Sequence, residues 1–504
     1  MTGRFRPGLE TGSLIPGPLL QGLRLRFCRV IMKRILICAA LLLPGLVQAQ
    51  FVLTKVADTS TPIPNGSGNF SGFTSLSGPA MSPGSVAFYA TGAGGQKGYY
   101  VQTNGVLFRA VDANTVAPGG GNFTSVSPFA YGLEADSLYF GGNTATEAAM
   151  FVYSNGVITK LVGTNTTIPG VTNKFSAELL LYPYDGRVAF HGQGANSSQV
   201  GIYRYDGGVV SKIADTNDNF TGGSGKLSFT TSSAEVSHDA NGVVAFFTFD
   251  STLATRQGIF TATTNSLVRI ASTDTLVPGR AIPFSGSNPI FSRKPDLSAG
   301  KVVFSGRFSG GSGIYEVSTD GNVAFMIADT STLIPGTAGN FSSFAEQAIE
   351  LGTVVFTAQG SGIYGAYRYQ NGVLDKIIAK PDTLSGKTVA TVVLGNQGLN
   401  GGRVALQITF SDGSSGIYTT IVGYANQTAP GGTLVPGTLL YSAVSGFSFQ
   451  FTGEIGRAYR VQSNTNLSTT NWITLTNFTY AAPLTITDGT AAGTASRVYR
   501  AISP

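Results

Sequence analysis

Past residue 49 the sequence offers two imidazoles, His191 and His238, and no thiol, since Cys28 and Cys38 both come earlier. There is no His-x-x-x-His pair, so neither a zinc site of common spacing nor disulfide chemistry is expected. No Gly-x-Ser-x-Gly elbow in a strand-to-helix context supports a Ser-His-Asp triad. His191 follows a Val-Ala-Phe stretch, and the matching places elsewhere hold Tyr89, Gly141, Phe247, Ser305, Thr357 and Gln407. The position is therefore not specialised for catalysis. His238-Asp239 precedes Asn241-Gly242, a turn pair. Both histidines are expected at the surface or at strand ends rather than in catalysis.

Carboxylates are the other candidates. Asp58, Asp112, Asp215 and Asp329 recur in one phrase, Asp-Thr in three copies, while Gly163 and Ser272 stand there in two others. A ring of calcium ligands would need several oxygens per loop. One Asp per loop suits an Asx-turn, where the carboxylate accepts from the backbone two residues on. The turn is the expectation. No catalytic residue is assigned, and no cofactor or metal site is expected.

These residues must be held by a scaffold, and charge shows where it begins. The chain of 504 residues carries a formal +6. Residues 1–49 hold seven basic side chains and one acidic, which accounts for all of it; the rest balances at 25 of each. A neutral body argues against electrostatic nucleic-acid binding. Met32-Lys33-Arg34, the apolar run Ile35 to Val47 and the small residues Val47-Gln48-Ala49 read as a secretory signal peptide, with Met32 the better start. Residues 1–49 are thus expected to be an upstream extension and signal peptide. No later stretch has the ~20 apolar residues of a membrane-spanning helix. The expected location is secreted or cell-surface.

The body repeats itself. A basic residue, small apolar residues, Asp-Thr and Pro-Gly return at Lys55, Arg109, Lys160, Lys212, Arg269, Met326 (the basic residue lost) and Lys376, spaced 54, 51, 52, 57, 57 and 50. A Val-Ala-Phe-like strand keeps the beat (Val86, Leu138, Val188, Val244, Val302, Val354, Val404), as does a Gly-Ile-Tyr-like strand (Gly98, Phe151, Gly201, Gly258, Gly313, Gly362, Gly416). Asn104-Gly105, Asn155-Gly156, Asp206-Gly207, Asp320-Gly321 and Asn371-Gly372 mark hairpins. About four strands in about 50 residues, seven times over, fit the blades of a β-propeller better than the shorter coils of a β-solenoid. The N-terminal phrase lacks the strands that the last unit supplies, so the two ends are expected to share a blade.

The reading is all-β: a seven-bladed β-propeller over 50–428, a linker over 429–445, and a small antiparallel β-sandwich over 446–504. Trp472, the single tryptophan, is expected as the sandwich's core anchor.

The segment Phe451-Thr452-Gly453, Gly456, Tyr459-Arg460-Val461-Gln462-Ser463, Leu467, Trp472 and Tyr499-Arg500-Ala501 resembles a small C-terminal β-domain appended to large secreted bacterial proteins. The seven repeats resemble uncharacterised secreted bacterial tandem-repeat β-propellers. Neither resemblance implies an activity or site residues. Two functions remain. The first is a secreted non-enzymatic binding or scaffold protein, with an extracellular glycan or protein as partner on one propeller face. The alternative is an extracellular polysaccharide-active enzyme, a glycoside hydrolase or lyase, at the channel mouth. Two carboxylates about 5–10 Å apart there, beside exposed aromatics, would favour the enzyme.

Overall fold

The computed structural model describes residues 51–423 except 75–77, 177–180, 196–198, 230–235 and 293, and beyond them 433–434, 440–442, 446–452, 458–465, 472–479, 484–491 and 497–502. Residues 1–49, with the signal-peptide reading, Met32 and both cysteines, lie outside the described residues, as do Pro430-Gly431-Gly432 and Pro436-Gly437 of the linker. The chain divides into two units, Met1–Ala49 and Gln50–Pro504, and every described residue belongs to the second.

The described residues form β-sheets and no α-helix. Seven antiparallel sheets follow one another along the chain. In the sixth, for example, the strands Ser343–Glu350, Thr353–Gly360, Ile363–Gln370 and Val373–Ala379 pair in chain order. One strand of each sheet touches one of the next, in the order Ala80–Ser82, Ser125–Glu134, Leu181–Tyr184, Val236–His238, Asp296–Ser298, Ser343–Glu350 and Lys387–Asn400, and the last of these touches the first. Thr54–Asp58 completes the seventh sheet by pairing with Ser415–Ile421, Thr54 opposite Thr419 and Asp58 opposite Gly416.

The three repeated marks meet in one packing unit. The Phe after the basic phrase, the Phe of Val-Ala-Phe and the ring of Gly-Ile-Tyr form a triad, as in Phe284, Phe304 and Tyr315. Phe284 stands edge-on to Tyr315 with centroids 5.0 Å apart. Phe70 and Tyr100 (4.8 Å) and Phe341 and Tyr367 (4.9 Å) repeat it. Edge-to-face pairing adds to the burial of such rings. Gly313 is required beside it, because a Cβ there would meet the Tyr315 hydroxyl at 2.8 Å and the Ala328 carbonyl oxygen at 2.7 Å.

All seven phrase strands carry a β-bulge just after the basic position, for instance between Lys55 and Ala57 and between Lys376 and Ile378. A regular strand alternates its faces. The extra residue breaks the alternation and lets two consecutive apolar residues, such as Ile213-Ala214 and Ile270-Ala271, both become buried.

Three expected hairpins have both turn residues at positive φ: Asn104-Gly105, Asn155-Gly156 and Asn371-Gly372. The other two differ. Gly207-Gly208 take the turn beside Asp206, which stays in its strand, and only Gly321 is positive after Asp320. Asp320 instead accepts from Asn322 N at 3.0 Å.

Beyond residue 432 two further sheets form, one around Gly446–Thr452 and one of Ala458–Asn464, Ile473–Thr479 and Val498–Ile502. Their shared core is Phe449, Phe451, Tyr459, Val461 and Ile486. Trp472 is not in it. Its ring is half-buried under the Arg500 guanidinium, 4.0 Å from the ring centre. The anchor role passes to the phenylalanines, which the alternation of Phe447 to Phe451 sends inward.

Candidate functional site

The repeated aspartates are turn residues. Asp58 Oδ1 accepts from Ser60 N at 3.0 Å, Asp112 Oδ1 from Asn114 N at 3.0 Å, Asp215 Oδ1 from Asn217 N at 2.9 Å and Asp329 Oδ1 from Ser331 N at 2.8 Å. Burial pushes the Asp58 carboxyl up, but hydrogen bonds from Ser60, Lys55 and Thr61 outweigh it and hold it at about 2. The constant element of the phrase is a different residue, three positions on. A side-chain oxygen of Thr61, Thr115, Thr166, Asp218, Thr275, Thr332 or Asp382 accepts the N–H of the phrase residue in every copy. That oxygen at fixed spacing was visible in the sequence, but the aspartate drew attention from it. Among the described residues no group of three or more His, Cys, Asp and Glu could hold a metal ion.

Both histidines are buried rather than at the surface, His191 at 2% exposure and His238 at 0%; His238 does end its strand, Val236–His238, while His191 lies within Arg187–Gln193. Burial lowers each to about 4, so both are neutral at physiological pH. The His238 ring Nε2 lies 2.9 Å from the Tyr182 carbonyl oxygen.

The best candidate is a basin of about 720 Å³ where the contacting strands of successive sheets end. The first, second, third, fifth, sixth and seventh sheets contribute to its lining. Tyr184 stands in it 41% exposed, and Leu351 46%. Three carboxylates lie there: Glu134, Asp185 and Glu350. Both glutamates are occupied by the neighbouring sheet's turn. Glu134 accepts from Asp185 N and, at 3.0 Å, from Gly186 N. Glu350 accepts from Gly401 N at 2.6 Å and Gly402 N at 2.8 Å. Burial raises the Glu134 carboxyl against the pull of those donors. Asp185 is 3.9 Å from the Arg187 guanidinium.

Polar struts cross the floor of this basin. Tyr182, in the third sheet, donates through its hydroxyl to Asp296 Oδ1 in the fifth at 3.0 Å. Asp296 also accepts from Ile349 N of the sixth at 2.9 Å, and its burial raises its pKa. Gln397 of the seventh accepts from Leu133 N of the second at 2.9 Å. The result is a shallow, closed-floored recess with an acidic, aromatic rim, suited to holding a ligand. Two of its three carboxylates, Glu134 and Glu350, already hold the adjoining turns.

The model of a family of unknown function, DUF7453, matches residues 139–391, half of the chain. The chain belongs to this family. DUF7453 carries no activity in its description. No curated protein matches the sequence. Among solved structures, the chain is similar to the β-propeller domain of the Trilobed protease from Pyrococcus furiosus (11% identity, TM-score 0.40, 69% of this chain and 96% of that one). It is also similar to the polysaccharide lyase Uly1 (9%, 0.39, 75% and 99%). A third is the acylaminoacyl peptidase of Pyrococcus horikoshii (11%, 0.41), with 76% of this chain covered but only 58% of that one. The sheet order of this DUF7453 member is that of a β-propeller protein. A fold of this kind does not by itself assign an activity.

Proposed function

We propose that the chain is an exported, non-enzymatic binding protein that takes a glycan or protein on one face of a seven-bladed β-propeller, with a small β-sandwich after it. The seven consecutive sheets and the first-to-seventh strand contact support the ring. The neutral body after a basic, signal-like segment supports export. The observation that carries the binding reading is the state of the basin's glutamates. Glu134 and Glu350 each hold two backbone N–H groups of the adjoining turn. A carboxylate so engaged would have to release its turn to act as acid or base. A glycan array combined with a polysaccharide-degradation screen on the purified protein tests it. Binding without turnover is the expected result; release of shortened oligosaccharides would assign the alternative, a glycoside hydrolase or lyase, with Glu134 as its raised-pKa acid.

A further inference from the structure

From phrase to Val-Ala-Phe mark the fifth repeat is the longest, 33 residues from Arg269 to Val302, with 32 in the fourth and 28 to 31 in the others. In repeat proteins such insertions map to loops on one face, often the binding face. The extra segment is held in place. Fully buried Gln257 accepts from Ile290 N at 2.8 Å and donates to Asn288 Oδ1 at 3.0 Å. Arg307 N donates to the Ile290 carbonyl oxygen at 2.9 Å, and the Arg307 guanidinium donates to Ser287 Oγ.

Against this segment lies a cleft of about 400 Å³ between the fifth and sixth sheets. It lies at the Ser343 end of the strand Ser343–Glu350, whereas the basin lies at the Glu350 end. Arg307 and Lys294 line it, the Lys294 ammonium turned to the Tyr182 ring 5.9 Å away, and the one carboxylate, Glu346, accepts from Thr357 Oγ1. The hydroxyls of Ser292, Ser305 and Ser312 and the ring of Phe344 supply the rest of the argument. Gln347, 3% exposed, directs its amide nitrogen to Ser292 Oγ at 3.3 Å and to the Lys294 carbonyl oxygen. Its Oε1 is buried with no partner. Turning the amide round would set its oxygen against the Lys294 carbonyl oxygen, which can only accept, so the assignment stands. A buried bare acceptor calls for an outside donor.

We infer that this cleft is a binding site for a short acidic saccharide, a uronate oligomer. Its carboxylate would meet Arg307, its hydroxyls the serines and Gln347, and its ring face Phe344. A phosphate would satisfy Arg307 but has no ring face to lay on Phe344. The inference places and specifies the ligand of the binding reading above and rests on it.

Titration calorimetry with α-1,4-galacturonate trimer, neutral maltotriose and triglutamate tests it on the whole protein. The expected result is binding of the galacturonate trimer alone, weakened at least tenfold by Arg307→Gln, by Ala345→Glu at the exposed rim, and by added salt. An unchanged melting temperature in both variants rules out misfolding. Equal binding of maltotriose, displacement by triglutamate, or full affinity in both variants would overturn it. If the trimer is cleaved while Arg307→Gln still weakens its binding, the non-enzymatic reading fails and the cleft assignment stands.

Discussion

Gln397 Nε2, in the seventh sheet, donates to the Pro183 carbonyl oxygen of the third sheet at 2.8 Å. The same side chain accepts from Leu133 N, so one amide of the seventh sheet ties together the second and third, 264 and 214 residues earlier in the chain. Gly132 must remain a glycine beside it, since a Cβ there would run into Gln397 Oε1 and the Pro183 ring. Gln397→Leu leaves one buried donor and one acceptor without partners, and the expected cost is about 1–3 kcal/mol for each group left bare. Urea denaturation reads this as a lower midpoint with an unchanged slope; a midpoint equal to that of the parent protein would show the strut to be dispensable.

Acid should weaken the fold in two stages. Burial depresses both histidines to about 4, so the unfolded chain binds protons that the folded chain does not. Stability then falls as pH drops from about 6.5 to 4, by on the order of 3 kcal/mol per histidine. Asp58 and Asp250, held at about 2, contribute stability above the unfolded carboxylate value that is lost as pH falls toward 2. His191→Phe copies the Phe247 found at the matching place in the fourth sheet. It should flatten the first stage by half in a pH series of denaturation midpoints, and an unaltered slope would refute the assignment.

The tyrosine hydroxyls of the aromatic triads are dispensable. Tyr100, Tyr203, Tyr315 and Tyr367 each bury a hydroxyl without a partner, while Phe151 and Phe260 serve at the matching places in the second and fourth sheets. Tyr315→Phe removes a desolvated group without opening a cavity. Calorimetry should find the melting temperature equal or higher. Phe284→Ala in the same triad should cost about 3–5 kcal/mol.

The phrase turn should depend on its third-on oxygen more than on its aspartate. Thr115→Val strips the acceptor from Asp112 N, which it holds at 2.9 Å, at an expected cost of about 1 kcal/mol. Asp112→Asn keeps an acceptor for Asn114 N and loses the 3.0 Å ion pair with Arg109, which is worth about 0.2–1 kcal/mol at a part-exposed site. Melting curves of the two variants give the order, and added calcium should leave the parent's curve in place.

The strand content and the repeat were legible because their carriers, Val-Ala-Phe and Gly-Ile-Tyr, are consecutive residues with a fixed period. The bulge at Val56, Ala110 and their equivalents was not, because it inserts no unusual residue; it shows only as two apolar neighbours where alternation expects one. The basin was illegible for a different reason. Glu134, Tyr184 and Glu350 come from three separate sheets, and Gln397 reaches them from a fourth. Only closure of the chain upon itself sets their spacing. Trp472 misled because a lone tryptophan reads as an anchor, whereas Arg500 stacks on it at 4.0 Å.

The clasp between Thr54–Asp58 and Ser415–Ile421 has a mechanical meaning. The two strands run antiparallel, so the chain enters at Thr54 on the same end of the pair from which it departs after Ile421. Tension applied between these two points peels the ladder one rung at a time and never loads all its rungs in shear. Under force the protein should therefore open first at this seam, at low load, with the other six sheets still folded.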